Sequence, residues 1–175
     1  MPFQKTVLAA LAMGIVGEQA FDGAVRAEPV VLKTAATTVD GEQSLYGRAL
    51  TADESIDGVA QVVVGGTGTY IGILGDPKAN PTHTTLGGLT PGLEAGTHLT
   101  AISETPGMWV SLVGTGAVGD AVAFGADGLL HAAPLQVAPA TTTLIPGSRI
   151  VRYDVNEGLA VVALQQLPDE AVDSH

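Results

Sequence analysis

No cysteine occurs among the 175 residues. A disulfide framework, a thiolate zinc site, an iron–sulfur cluster and a cysteine nucleophile are excluded together. Basic residues are scarce, with 7 Lys and Arg against 18 Asp and Glu, which gives a formal charge of −11 at pH 7 and an isoelectric point near 4.4. Such a surface repels phosphate, so neither nucleic acid nor membrane is expected as a partner. Aromatic residues make up 4% of the chain and charged residues 14%. No apolar run approaches the roughly 20 residues that cross a bilayer. What is abundant is small or β-branched: 23 Gly, 20 Val and 18 Thr. Many β-branched residues broken by glycine describe an all-β protein with frequent turns. The length is that of one domain, or one domain with an arm, and a fold of this size buries enough surface to stand without a metal or a disulfide.

The first 28 residues read as an N-terminal arm. Lys5 followed by the apolar stretch 6–17 imitates a signal peptide, but the leading region holds a single lysine, and Glu18 and Asp22 stand where such peptides are usually neutral. A retained arm is the expectation. Val7, Leu8, Leu11 and Ile15 fall at helical spacing, whereas Gly14, Gly17 and Gly23 favour an extended path, so the arm is expected to be extended or partly helical. An apolar arm outside a compact domain usually lies on a partner.

From residue 29 the texture changes to short β runs separated by turns. Strands are expected at 30–33, 45–50, 59–64, 70–74, 98–104, 108–113, 120–124, 129–132, 149–155 and 159–167. Acidic residues 53–58 form a turn in this reading, and hairpins close through 65–68, Thr105-Pro-Gly107, Gly125-Ala-Asp-Gly128 and Asn156-Glu-Gly158. The result is an all-β, antiparallel β-sandwich or β-barrel of about ten short strands. It spans 29–167 and is followed by a flexible acidic tail at 168–175.

Catalytic and cofactor signatures are weak. Gly114-Thr-Gly-Ala-Val-Gly119 has the spacing of a dinucleotide loop. However, the chain turns again at Gly125–Gly128 before a helix can form, and the residue 20 positions on is Pro139. Both this loop and Gly65-Gly-Thr-Gly68 read as strand connections. His83, His98, His131 and His175 are scattered without metal-ligand spacing. No serine sits in a Gly-x-Ser-x-Gly elbow, and the acid pairs Asp53/Glu54 and Asp169/Glu170 lie in a turn and in the tail. No catalytic residue, cofactor or metal is expected. The candidates are instead for an interface: Phe3, Leu8, Leu11, Phe21 and Arg26 of the arm, and Trp109. Trp109 reads either as a core anchor or as an interface residue. Phe3 and Phe21 read as anchors for a partner unless they fold back on their own domain.

The order of features resembles the structural cement (capsid decoration) proteins of tailed phages. The residues that carry the resemblance are Gly17-Glu-Gln-Ala-Phe-Asp-Gly23, Arg26-Ala-Glu-Pro29, Val39-Asp-Gly41, Tyr46-Gly-Arg-Ala-Leu50, Gly72-Ile-Leu-Gly-Asp-Pro77, Leu93-Glu-Ala-Gly96, Met108-Trp-Val110 and Gly119-Asp-Ala-Val-Ala-Phe124. The resemblance covers about 15–135. It implies a non-enzymatic virion protein, made in the host cytoplasm and placed on the outer capsid surface. There it stabilises the expanded shell, with the major capsid protein and neighbouring copies of itself, as a homotrimer, for partners. An acidic outer surface and the lack of cysteine fit such a role. The alternative is a β-domain of head-fibre or adhesin type that binds carbohydrate or a host surface; it predicts clustered exposed aromatics, and the chain has seven aromatic residues in all. A small hydrolase would need a polar pocket with a perturbed histidine or acid, which no local motif marks.

Overall fold

The computed structural model describes residues 14–37, 44–56, 58–75 and 92–165. They form twelve strands: β1 (Arg26–Leu32), β2 (Ala36–Thr37), β3 (Ala49–Ile56), β4 (Val59–Val64), β5 (Thr69–Leu74), β6 (Gly92–Leu93), β7 (His98–Val113), β8 (Ala121–Phe124), β9 (Leu130–Ala133), β10 (Thr143–Leu144), β11 (Ser148–Asp154) and β12 (Leu159–Leu164). Ten belong to one sheet, and β2 pairs with β6 beside it.

The choice between sandwich and barrel is settled by the ladders. β1 pairs with β4 in parallel and with β7 in antiparallel, while β4–β3, β3–β5 and β5–β7 complete the circuit. These five strands are a closed ring. A second circuit runs from β7 through β9 to β8, and from β7 through β12 to β11. It is closed between β8 and β11 by Gly119 N–H donating to the Ile150 carbonyl and Ile150 N–H to that of Asp120, both at 2.8 Å. Closure removes the unpaired edges that an open sheet of this composition would expose to other chains.

β7 belongs to both rings, and this corrects the expected hairpin at Thr105-Pro-Gly107. The 16 residues from His98 to Val113 are one strand. Its first part pairs with β1 and β5, and its second with β12 and β9. The Pro and Gly mark a bulge rather than a turn, and the flanking ladders slip register there, between Arg26 and Ala27 and between Val162 and Leu164. The two faces of β7 serve different cores. Leu99 and Ala101 enter the first core with Val30, Leu32, Leu50, Val62 and Leu74, whereas Met108, Val110 and Leu112 enter the second with Val122, Phe124, Leu130, Ile150 and Val162. Ala49, Ile73 and Ile102 face out of the first ring into the second core and fuse the two.

Two further expectations shift. The strand placed at 45–50 lies at Ala49–Ile56, so 53–56 are strand rather than turn; the pairing of Glu54 with Gln61 and Ile56 with Val59 carries the ladder through the acidic residues. The arm boundary drawn after residue 28 falls inside β1. Residues 1–13 and 166–175 lie outside the described residues, as do His83 and His175.

Candidate interaction surface

The N-terminal residues that are described lie on the wall of the second ring. Gly17 N–H donates to the Trp109 carbonyl (2.8 Å), Trp109 N–H to that of Glu18 (2.8 Å) and Ala20 N–H to that of Gly107 (2.9 Å), with a bridge between Gln19 and Met108. This segment continues the β1 ladder upward along β7, so its backbone groups are satisfied by the strand beneath it. Its side chains meet a surface built to receive them. Gly14 lies on the indole of Trp109, and the ring of Phe21 packs on Gly107, where a side chain would collide with it.

Three of the six candidates can be placed. Trp109 is 8% exposed, covered by residue 14 and flanked by Arg152, whose guanidinium carbon is 5.5 Å from the ring centroid. Phe21 lies on the chain's own wall yet keeps 43% of its surface exposed. Arg26 is exposed and ion-paired at 3.4 Å with both Glu28 and Glu104. Phe3, Leu8 and Leu11 lie outside the described residues. The structure therefore brings Trp109 and Phe21 onto one wall and leaves Arg26 further down the β1–β7 ladder.

Besides the surface ion pairs of Arg26 and that of Lys33 with Asp53 (2.9 Å), several polar side chains bond to the backbone. Buried Arg48 donates to the carbonyls of Ser44 (3.1 Å) and Asp127 (3.3 Å), and the Asp127 carboxylate accepts from Leu129 N–H at 3.0 Å. These two residues border an open recess of about 470 Å³, otherwise lined by threonine and aliphatic side chains. The loop at Gly114–Gly119 is a turn between β7 and β8, held by Ala117 N–H donating to the Asp120 carboxylate (2.9 Å). His98 is exposed at the start of β7 and His131 half-buried on β9. Among the described residues no three His, Asp or Glu side chains are grouped to hold a metal. Burial raises the Tyr70 hydroxyl well above the usual tyrosine range; it has no hydrogen-bond partner among the described residues and its ring lies 5.8 Å from that of Phe124.

Sequence reasoning missed the exposed aliphatic residues of the turns. Val118, Leu135, Val137 and Val155 are each at least two-thirds exposed, and Leu135 reaches 93%. The available signal was large aliphatic residues in segments otherwise built of Gly, Pro, Ala and Thr, where no core position explains them.

Comparison with known proteins gives a family and a fold. The model of the structural cement protein family (E217 gp24/Pam3 gp6) matches residues 3–165. A chain from the capsid of Myoviridae phage XM1 superposes with a TM-score of 0.58 at 15% identity, over 96% of this chain and all of that one. The N base of the head fibre gp8.5 of bacteriophage phi29 aligns over 83% of this chain and 99% of that one, with a TM-score of 0.43 at 11% identity, too distant to carry an argument. No curated protein matches.

Proposed function

Because this chain belongs to the phage structural cement protein family, and so is a structural component of the virion carried on the capsid, we propose that it fastens the expanded shell from outside. Its partners are the major capsid protein and neighbouring copies of itself, arranged as a homotrimer. The observation that carries this reading is the extent of the family match, which runs from residue 3 through both rings to 165. The protein works by contact and not by chemistry. Among the described residues, charged side chains bond to the backbone, as Arg48, Asp120 and Asp127 do, or pair at the surface, as Arg26 and Lys33 do, an arrangement suited to holding a shape.

The arm is the clamp. Phe3, Leu8 and Leu11 supply apolar anchors, and the described residues that follow them in the chain, from Gly14 to Phe21, lie on the wall that holds Trp109. Holding the arm on a partner costs conformational entropy, and the many copies on a lattice offset it through multivalency. A charge of −11 suits an outer face with no packaged DNA to touch.

The test is a truncation guided by the structure. Removing residues 1–27 would strip β1 of its first residues and uncover Trp109, so the informative deletion is 1–13. It is expected to leave the thermal unfolding of the free protein unchanged and to abolish the protection that the intact protein gives expanded capsids against heat. Full protection by the truncated protein would remove the arm from the mechanism.

A further inference from the structure

We infer, on the premise that copies of this chain contact one another, that they meet through the outer face of the second ring, Arg149 and Arg152 of one copy pairing with Asp22 of the next. Two molecules of net charge −11 repel at most approaches, so they hold together only where basic side chains are left for a neighbour. Of the seven basic residues, Lys5 and Lys78 lie outside the described residues. Arg26 is paired with Glu28 and Glu104, Lys33 with Asp53, and buried Arg48 with two carbonyls. Arg149 and Arg152 differ. Both are exposed, and among the described residues neither has a carboxylate within ion-pairing distance.

The fold puts the two arginines on one side of β11. Ile150 and Tyr153 pack on the second core, and the register shift between Ile150 and Arg152 returns Arg152 to the side of Arg149. That side is the outer one. Arg152 is paired with Val161 and Val161 with Trp109, so the three stand in a row across β11, β12 and β7. Beside the row the exposed ring of Phe21 packs on Gly107. Asp22 follows it, exposed and without a partner among the described residues, between the contact of Phe21 with Gly107 and that of Gly23 with Pro106. Asp22 is separated from the arginines by β7 and β12. Three strand spacings make that roughly 14 Å, too far for the pair to form within one molecule.

One margin of this face therefore carries unpaired positive charge and the opposite margin an unpaired carboxylate, with an aromatic ring between them. A second copy is favoured as the occupant because it brings the matching charge itself. Setting one margin against the opposite margin of the next copy is a head-to-tail contact, the kind that closes into a ring. Arginine and aromatic side chains are also enriched where proteins meet. The other acidic residues of this ring do not serve the arginines. Glu18 is already engaged, and the carboxylates of Asp120, Asp127 and Asp154 accept from the N–H groups of Ala117, Leu129 and Asn156. Glu157 is exposed in the turn between β11 and β12.

The experiment is sedimentation equilibrium of the intact chain and its variants over a range of concentration and salt, with co-sedimentation on undecorated expanded capsids run beside it. Arg149→Glu/Arg152→Glu is expected to self-associate at least about tenfold more weakly than the intact protein. Arg149→Glu alone disturbs no contact of its own molecule among the described residues, so it should melt like the intact protein and show a smaller loss in the same direction. Adding Asp22→Arg to the double variant exchanges the signs of the two margins and should restore association, which a merely structural effect would not do. Added salt should weaken the intact contact. Unchanged self-association in the reversed variants, or a loss that Asp22→Arg does not repair, overturns the inference. Weaker capsid binding with self-association untouched also overturns it, by assigning the face to the shell. An intact protein that stays monomeric at every concentration contradicts the premise and the inference with it. Self-association that follows the charges in a protein that leaves capsids bare supports the inference and contradicts the attachment reading alone.

Discussion

Gly14 lies flat against the indole of Trp109, so closely that a methyl group at position 14 would fall 1.9 Å from Nε1. The contact ties the N-terminal segment to the wall of the second ring, and the protein's one tryptophan reports on it. Gly14→Val is expected to lift the segment, shift Trp109 emission to the red and open it to acrylamide quenching. The overpacking should cost about 1–3 kcal/mol. Unchanged emission would show that the segment contributes nothing to covering the ring.

The joint between the rings rests on Gly65, which has φ 72° and whose missing Cβ would stand 2.3 Å from the Ala126 carbonyl oxygen and from Gly128 N. Gly65→Ala meets both a left-handed backbone and a backbone collision, and is expected to cost more than about 3 kcal/mol. Gly114→Ala has a similar φ of 82° with open space around it, so the strain of the left-handed position alone should cost about 1 kcal/mol. Equilibrium denaturation of the two variants separates strain from collision.

Tyr70 buries a hydroxyl that has no partner among the described residues. Tyr70→Phe should be neutral or stabilising by up to about 1 kcal/mol, because it removes an unsatisfied polar group from the second core. The same burial holds the folded-state pKa above the unfolded value of about 10. Ionisation of the unfolded chain therefore draws stability down as pH rises past about 10, and below that pH the phenol is neutral in both states. The variant should lose this part of the alkaline decline, as seen in melting curves between pH 8 and 11.

Arg26 pairs with Glu28 and Glu104 at the surface, and such exposed pairs are worth less than about 1 kcal/mol. Arg26→Ala should leave stability almost unchanged. If the residue meets the capsid, the variant will bind more weakly at low salt and the difference will shrink as salt is added.

The short turns were legible in the sequence because their chemistry is local. Asp127-Gly128 and Glu157-Gly158 end in glycines with φ 77° and 64°, as hairpin turns of that composition require. The two rings were not legible, since their closure depends on pairings between residues far apart, such as Val31 with Gln61 and Leu112 with Leu130. Thr105-Pro-Gly107 misled for a physical reason: the same residues make a turn or a bulge, and only the strands on either side decide which. Of the candidate site, the pairing of an aromatic wall with an N-terminal segment was half legible. Phe21 and Trp109 stand out by scarcity, whereas the cover over Trp109 is a glycine, whose role comes from the side chain it lacks. Leu135 was legible only as a large aliphatic residue in a proline-rich connection, and whether such a leucine packs or is displayed depends on the strands around it.

The most direct measurement is sedimentation of the purified protein with undecorated expanded capsids across a titration. Attachment to the shell calls for saturation at a fixed number of copies per capsid and for decorated shells that survive heating to a higher temperature than bare ones. Protein left in the supernatant at every ratio, with bare and mixed shells melting alike, would contradict it.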